Sequence, residues 1–209
     1  MHKTSFSLWH RTSKFKQHPG WDFRLFLSGF DIALLDMRGS GIELTPRISP
    51  VCRPTMPVQP EDIVQIMGWG LTDSPPTAQS DVSPILKKVT KNKDVFVNKE
   101  IQTGFWRQAN TKVQTREFCV APLFDPESGE PFALSKAVFC TNRTAGLDND
   151  GGTCFGDSGS SLVKMRDGNF EANGIVSFGP NDCGDRGFYT AVTAFVPWIL
   201  ENMEGDAWE

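Results

Sequence analysis

The sequence contains no apolar stretch of the roughly 20 residues that a helix needs to cross a bilayer. The segment from Met1 to Gln17 carries basic residues without the continuous apolar core of a signal peptide. Basic residues do not cluster beyond Lys87 and Lys88, and the formal net charge is −4. We therefore expect neither nucleic acid nor a membrane as a partner.

The chain also lacks internal repeats and long helical patterns. Its 19 glycines and 14 prolines separate short apolar runs, which favours an all-β chain with many turns. The length of 209 residues suffices for one domain or for two small lobes. Residues 1–30 are predicted to be irregular, and residues 98–117 are ambiguous.

Three segments give a clear local signal. Residues 161–165 and 170–178 predict a hairpin, because Asp167-Gly168 between them is a strong turn signal. The helical spacing of Phe195, Ile199 and Met203 predicts a C-terminal helix over residues 194–203. Short apolar runs predict further strands at residues 31–35, 63–67, 85–89, 95–97 and 188–192.

The most specific motif is Gly156-Asp157-Ser158-Gly159-Ser160, preceded by Cys154-Phe155. A serine between glycines on a tight turn presents its hydroxyl as a nucleophile, because glycine allows close backbone approaches that a Cβ would forbid. The backbone N–H groups of Gly156 and Ser158 can point at one spot and hold an oxyanion. Alone, the motif is equally compatible with a surface serine in a glycine turn.

The residues after this turn resemble a known family. They are Gly174-Ile175-Val176-Ser177-Phe178-Gly179, Cys183-Gly184, Gly187-Phe188-Tyr189-Thr190 and Val196-Pro197-Trp198-Ile199. In this order and spacing they resemble the C-terminal half of the chymotrypsin-like (trypsin-fold) serine proteases of peptidase family S1. The resemblance implies a trypsin-like double antiparallel β-barrel with a C-terminal helix. It further implies a single domain over residues 1–209, with an incomplete N-terminal barrel in residues 1–55 and the C-terminal barrel and helix in 56–209.

The resemblance assigns Ser158 as the nucleophile and Asp31, in the segment Asp31-Ile32-Ala33-Leu34-Leu35, as the aspartate that orients a catalytic imidazole. The alternative for Asp31 is a strand-capping carboxylate. No Ala-His-Cys string precedes it, and His18 matches a non-catalytic family position. We assign no base to His2, His10 or His18, and we expect the sequence to be N-terminally truncated.

In active family members, a freed N-terminal amine pairs with the aspartate before the nucleophile, which is Asp157 here. The resemblance also pairs Cys119 with Cys140 and Cys154 with Cys183, and leaves Cys52 with a partner outside the chain. The odd cysteine count and the sequon at Asn142 favour a secreted protein.

Substrate-binding positions follow from the same resemblance. Gly152 stands at the pocket base, Gly179 and Gly187 at the pocket walls, and Ser177-Phe178-Gly179 at the edge that pairs with substrate backbone. Small, uncharged residues at the base and walls imply a preference for large apolar side chains.

The sequence thus predicts a serine endopeptidase that needs no cofactor or metal. Its expected partners are protein or peptide substrates and protease inhibitors. Two alternatives remain: a non-catalytic protease homologue that acts as a binding or regulatory module, and an all-β binding domain that begins at Met1. The second alternative must explain exposed strand edges.

Overall fold

The computed structural model describes residues 12–37, 41–46, 48–71, 106–121, 123, 129, 132–180 and 185–203. These residues form a small two-stranded sheet, a closed barrel of six strands and a short C-terminal helix. The predicted all-β, trypsin-like fold is therefore confirmed. No helix in the described ranges is long and apolar enough to cross a membrane.

Eight strands are numbered in chain order. They are β1 Thr12–Gln17, β2 Ala33–Met37, β3 Ile63–Gly68, β4 Arg107–Val113, β5 Val138–Asn142, β6 Ser161–Arg166, β7 Asn169–Phe178 and β8 Arg186–Ala191. The barrel order is β3-β4-β5-β8-β7-β6, and β6 closes the barrel by pairing Leu162 with Ile66 of β3. All named strand pairs are antiparallel.

Helices in the described ranges are few and short. A 3₁₀ helix spans Phe23–Ser28, α1 spans Arg116–Val120, a second 3₁₀ turn spans Val192–Ala194, and α2 spans Val196–Asn202. The first begins at Asp22, whose side chain accepts from the Arg24 N–H. Pro197 lies in the first turn of α2, where a missing N–H is tolerated because that donor has no partner within the helix.

Three apolar clusters hold these elements together. The barrel interior contains Val64, Ile66, Val113, Leu162, Val176 and Tyr189. The second surrounds a disulfide between Cys119 of α1 and Cys140 of β5. The third joins Ile32, just before β2, to Val192, Phe195 and Ile199. The N-terminal segment is therefore packed on the C-terminal helix.

The cysteines follow the expected pairing as far as the described residues extend. The Cys119–Cys140 disulfide is confirmed, with a Cα–Cα distance of 5.7 Å. Cys154 is disulfide-bonded, and its predicted partner Cys183 lies outside the described residues. Cys52 is free and exposed, although its backbone pairs with Phe170 and Ala172 along β7.

Most of the local predictions are confirmed to within two residues, notably the β6–β7 hairpin with its turn at Asp167-Gly168, β8 and the helix α2. The prediction that residues 1–30 are irregular was wrong, since β1 and a 3₁₀ helix lie there. All six residues of β1 are exposed. Because neither face of the strand is buried, its sequence does not need the alternation of apolar and polar residues by which a strand is recognised. Predicted strands at 85–89 and 95–97 lie outside the described residues.

Candidate active site

The Gly156–Ser160 turn is tied to β7 by two backbone hydrogen bonds. Gly159 N–H donates to Val176 O and Val176 N–H donates to Ser160 O, each over 2.9 Å. Gly156 and Gly159 have φ of +95° and +81°, in the left-handed region that favours glycine. Ser158, between them, is exposed. Within the described ranges, neither the Gly156 nor the Ser158 N–H donates to a backbone carbonyl.

Asp157 is buried, unlike Ser158, and only 9% of its surface is accessible. Its carboxylate accepts the Gly70 N–H over 2.8 Å and the Cys154 N–H over 2.9 Å. A Cβ added at Gly70 would lie 2.5 Å from this carboxylate, so the segment after β3 must carry glycine there. Two backbone donors therefore satisfy the aspartate predicted to receive a freed amine.

Asp31 lies immediately before β2 and is half-buried. The Ser177 hydroxyl, near the end of β7, donates to Asp31 Oδ2 over 2.7 Å. The Thr190 hydroxyl of β8 donates to the Asp31 carbonyl over 2.9 Å. A strand-capping aspartate needs neither contact. These two hydrogen bonds tie Asp31 to β7 and β8 of the barrel.

One cavity of about 440 Å³ is lined by both Asp31 and Ser158. Phe15 and Gln17 of β1, Leu35 of β2 and Val176 of β7 contribute further lining. The structure thus brings together the two predicted catalytic residues, which are separated by 127 positions in the sequence (158 − 31).

His18 lines neither this cavity nor the second one described below. Its ring stacks on Phe30 at 4.9 Å and contacts Phe195 and Trp198 edge-on or tilted. Its Nδ1 accepts the Gly20 N–H over 3.0 Å. His2 and His10 lie outside the described residues.

The predicted substrate-binding residues occupy the ends of β7 and β8. The Phe178 ring stacks on Phe188 at 4.5 Å and belongs to the cluster around the disulfide. Gly179 follows the strand and is exposed, whereas Gly187 is buried. A Cβ at Gly187 would lie 2.5 Å from the Tyr189 hydroxyl and 2.7 Å from the Thr153 hydroxyl, so this position excludes any side chain.

Tyr189 is fully buried beneath these positions. Burial raises the pKa of its phenol, and the charge of Asp157 acts in the same direction. The phenol bonds to Thr141, at 3.2 Å, and to Thr153, next to Gly152. Sequence reasoning did not identify this hydroxyl network, because Tyr189 and Thr153 have no pattern in the sequence that distinguishes them from core residues.

Gly152 lines a second cavity of about 310 Å³, together with Asp157, Asp150 and Arg143. Asp150 is already paired there: its carboxylate accepts from Arg143 Nε over 3.3 Å and from the Thr144 N–H over 3.0 Å. In the part of the chain that the structure describes, no group of three His, Cys, Asp or Glu residues is arranged to hold a metal ion.

Comparisons with known proteins agree with this architecture. The family described as Trypsin matches residues 9–199. The chain is 33% identical over 196 residues, 90% of its length, to a phenoloxidase-activating enzyme of Bombyx mori. It is 29% identical over 83% of its length to melanization protease 1 of Drosophila melanogaster, and 28% identical over 90% to a complement C1s-1 subcomponent of Mus musculus.

The chain covers only part of each relative: 38% of the first, 38% of the second and 25% of the third. Even so, the family match extends over most of the chain. Because this match covers residues 9–199 and the described strands form a closed antiparallel barrel, the chain belongs to the trypsin family of chymotrypsin-like serine proteases.

Proposed function

We propose that this chain carries the nucleophile and the orienting aspartate of a serine endopeptidase. The observation that supports this most directly is the single cavity lined by Ser158 and Asp31. The Ser177 hydroxyl on Asp31 Oδ2 keeps that carboxylate in one orientation, as a charge that must stabilise an imidazolium requires. The substrates are proteins or peptides, in keeping with the names of the relatives.

The reaction follows from these positions. Ser158 Oγ attacks the carbonyl carbon of a peptide bond, and its proton passes to an imidazole whose other N–H donates to Asp31. The N–H groups of Gly156 and Ser158 hold the oxyanion. The imidazolium then protonates the leaving amine, and water hydrolyses the resulting ester, which returns the proton to Ser158 Oγ.

The imidazole is the part of this scheme that the described residues do not supply. His18 is engaged in an aromatic cluster. This observation favours a second candidate function, a protease homologue that binds partners without cleaving them. Ser158 and Asp31 line one cavity, and the Ser177 hydroxyl donates to the Asp31 carboxylate. This arrangement supports the enzyme, because binding alone does not need a serine and an oriented carboxylate on the same cavity.

The proposed specificity is for large apolar side chains. Glycine at positions 152, 179 and 187 would bring no charge to a substrate pocket. Of the three, Gly152 alone lines one of the two cavities described above. Asp150, the acidic residue closest to Gly152 in sequence, is paired with Arg143. A lysine or arginine side chain would lose its hydration there without a free carboxylate in return.

We further propose an extracellular location, where the Cys119–Cys140 disulfide is stable and where protease inhibitors would be partners. We also propose that residues 1–55 and 56–209 belong to one domain, since Ile32 packs against the C-terminal Phe195 and Ile199.

Labelling of Ser158 by a fluorophosphonate tests the function. General-base assistance contributes roughly 10²–10⁴-fold, so saturating imidazole is expected to speed labelling of the purified chain by at least roughly tenfold. Mass spectrometry should locate the label on Ser158. N-methylimidazole, a base of similar strength without an N–H for Asp31, should help less.

Two variants serve as controls. Ser158→Ala should remove all labelling, and Asp31→Asn should remove the difference between imidazole and N-methylimidazole. Labelling that does not respond to either base would contradict the enzymatic function and favour the binding module. Fast labelling without any base would mean that a histidine of this chain serves as the base.

A further inference from the structure

The segment from His18 to Ile32 surrounds Asp31 with contacts that the proposed reaction does not use. His18 N–H donates to the Ile32 carbonyl over 3.0 Å, directly after Asp31 in the chain. The His18 ring stacks on Phe30, directly before Asp31, with an interplanar angle of 19°. One residue therefore contacts both sequence neighbours of Asp31.

His18 is itself fixed by the turn that follows it. Its Nδ1 accepts the Gly20 N–H over 3.0 Å, and its carbonyl accepts the Trp21 N–H over the same distance. A Cβ at Gly20 would lie 2.9 Å from the Phe30 ring, so only glycine allows the turn to close against that ring. The acceptor at Nδ1 sets both the ring orientation and the shape of the turn.

From these contacts we infer that His18 is a positioning residue for Asp31, acting through the hydrogen bond that its Nδ1 accepts from Gly20. The bond locks the turn in which the His18 N–H reaches Ile32. The turn and the stacked ring hold residues 30–32 against the barrel, where the Ser177 and Thr190 hydroxyls meet Asp31. This inference rests on the proposed function, because it assumes that the Asp31 carboxylate orients the imidazole that activates Ser158.

Two substitutions separate the acceptor from the ring. His18→Phe keeps an aromatic ring on Phe30 but removes the acceptor. His18→Asn removes the ring but keeps an acceptor, because an asparagine side chain bonds the N–H two residues on in an Asx turn. Trp198→Phe is the matched control, since it changes the same aromatic cluster without touching the turn.

Two readouts are needed. The first is the imidazole-assisted rate of fluorophosphonate labelling at Ser158. We expect His18→Phe to lower it about tenfold, within the roughly 10²-fold that a misplacement of 1 Å can cost. His18→Asn should label at close to the wild-type rate. Trp198→Phe should lower the melting temperature but leave the labelling rate unchanged. The second is the exchange rate of the Ser177 hydroxyl proton with water in NMR, which should rise in His18→Phe alone.

The inference is wrong if His18→Phe labels at the wild-type rate, or if His18→Asn is as slow as His18→Phe. If the wild-type chain does not label even with imidazole, the proposed function has failed. The exchange rate of the Ser177 hydroxyl proton then tests by itself whether His18 positions Asp31. If the hydroxyl proton exchanges faster than in the wild type in His18→Phe but not in His18→Asn, the positioning role is supported. If the two variants exchange at the same rate, the positioning role is wrong.

Discussion

The residue at position 152 does not by itself determine the charge of the pocket around it. Its cavity also contains the carboxylates of Asp150 and Asp157, so the absence of a charge at position 152 does not make the surroundings apolar. Both acids are nevertheless occupied: Asp150 pairs with Arg143, and Asp157 accepts two backbone N–H groups. A cationic side chain would therefore have to share either carboxylate with its present partners.

This arrangement leads to a specificity prediction. With imidazole as base, N-acyl phenylalanine thioesters should acylate the chain faster than the matching arginine thioesters, because the pocket offers an arginine no free charge. Gly152→Asp should reverse or narrow this ratio, whereas Asn169→Asp, which adds the same charge at an exposed residue of the β6–β7 hairpin, should not. Release of thiol over time measures both rates. A wild-type preference for arginine would refute the assignment of Gly152 to the pocket base.

The strand β7 is the element that connects the separate parts of the site. Its C-terminal part carries Ser177 and bonds the nucleophile turn through Val176. Its N-terminal part carries Glu171, which is only 5% exposed and accepts from the Thr55 hydroxyl at 2.7 Å and Arg166 Nε at 3.1 Å. A disturbance at Glu171 therefore acts on the strand that orients Asp31.

The carboxyl group of Glu171 makes the free energy of unfolding depend on pH in the acidic range. Burial works to raise its pKa, but the hydrogen bonds from Thr55 and Arg166 outweigh burial and hold the pKa below its ordinary value of 4.5. A lowered folded-state pKa means that this stabilisation is complete above pH 4.5 and is lost as the pH falls through the folded-state pKa. Glu171→Gln should cost about 1–3 kcal/mol at pH 7, as for a buried partner left unsatisfied.

Denaturant unfolding at pH 7 and pH 3 measures this effect. The stability gap between wild type and Glu171→Gln should shrink at pH 3, because below pH 4.5 the unfolded wild-type chain binds a proton at Glu171 more readily than the folded chain does. Glu61→Gln is the control: the Glu61 side chain is 72% exposed in its ion pair with Lys112, so its gap should be small at both pH values. An unchanged gap for Glu171→Gln between the two pH values would contradict the prediction.

Comparison of elements shows what the sequence alone can determine. The β6–β7 hairpin was predictable because Asp167-Gly168 specifies the turn and apolar residues flank it. The strand β4, with sequence RQANTKV, was not, because its polar residues are held by pairing with β3 and β5 rather than by an apolar pattern.

The same distinction applies to the site. Ser158 and Asp31 have local motifs, whereas the hydrogen bond from Ser177 to Asp31 spans 146 positions and depends on the folded barrel. The contacts of His18 with Phe195 and Trp198 are equally distant in sequence.

At the scale of the whole molecule, the two sheets differ in whether their strands have neighbours on both sides. The six-stranded barrel closes on itself, so its strands pair on both sides. Among the described residues, β1 and β2 pair only with each other. Their cross-strand pair Phe15 and Leu35 is exposed by 70% and 62%. An isolated two-stranded sheet is marginally stable in water, so this one depends on the packing of Ile32 against the C-terminal helix.

We therefore expect the two sheets to behave differently in solution. Backbone amides of β1 and β2 should exchange with solvent much faster than those of β7 and β8, because opening the small sheet costs less than opening the barrel. The exposed apolar pair should bind the dye ANS. Phe15→Ser combined with Leu35→Thr should reduce ANS fluorescence and leave the exchange of the barrel amides unchanged. Met165→Thr, at an exposed apolar position on β6, is the matched control and should reduce the fluorescence less. Equal protection of both sheets, or ANS fluorescence that the double substitution does not change, would show that the small sheet is covered and stabilised by other parts of the molecule.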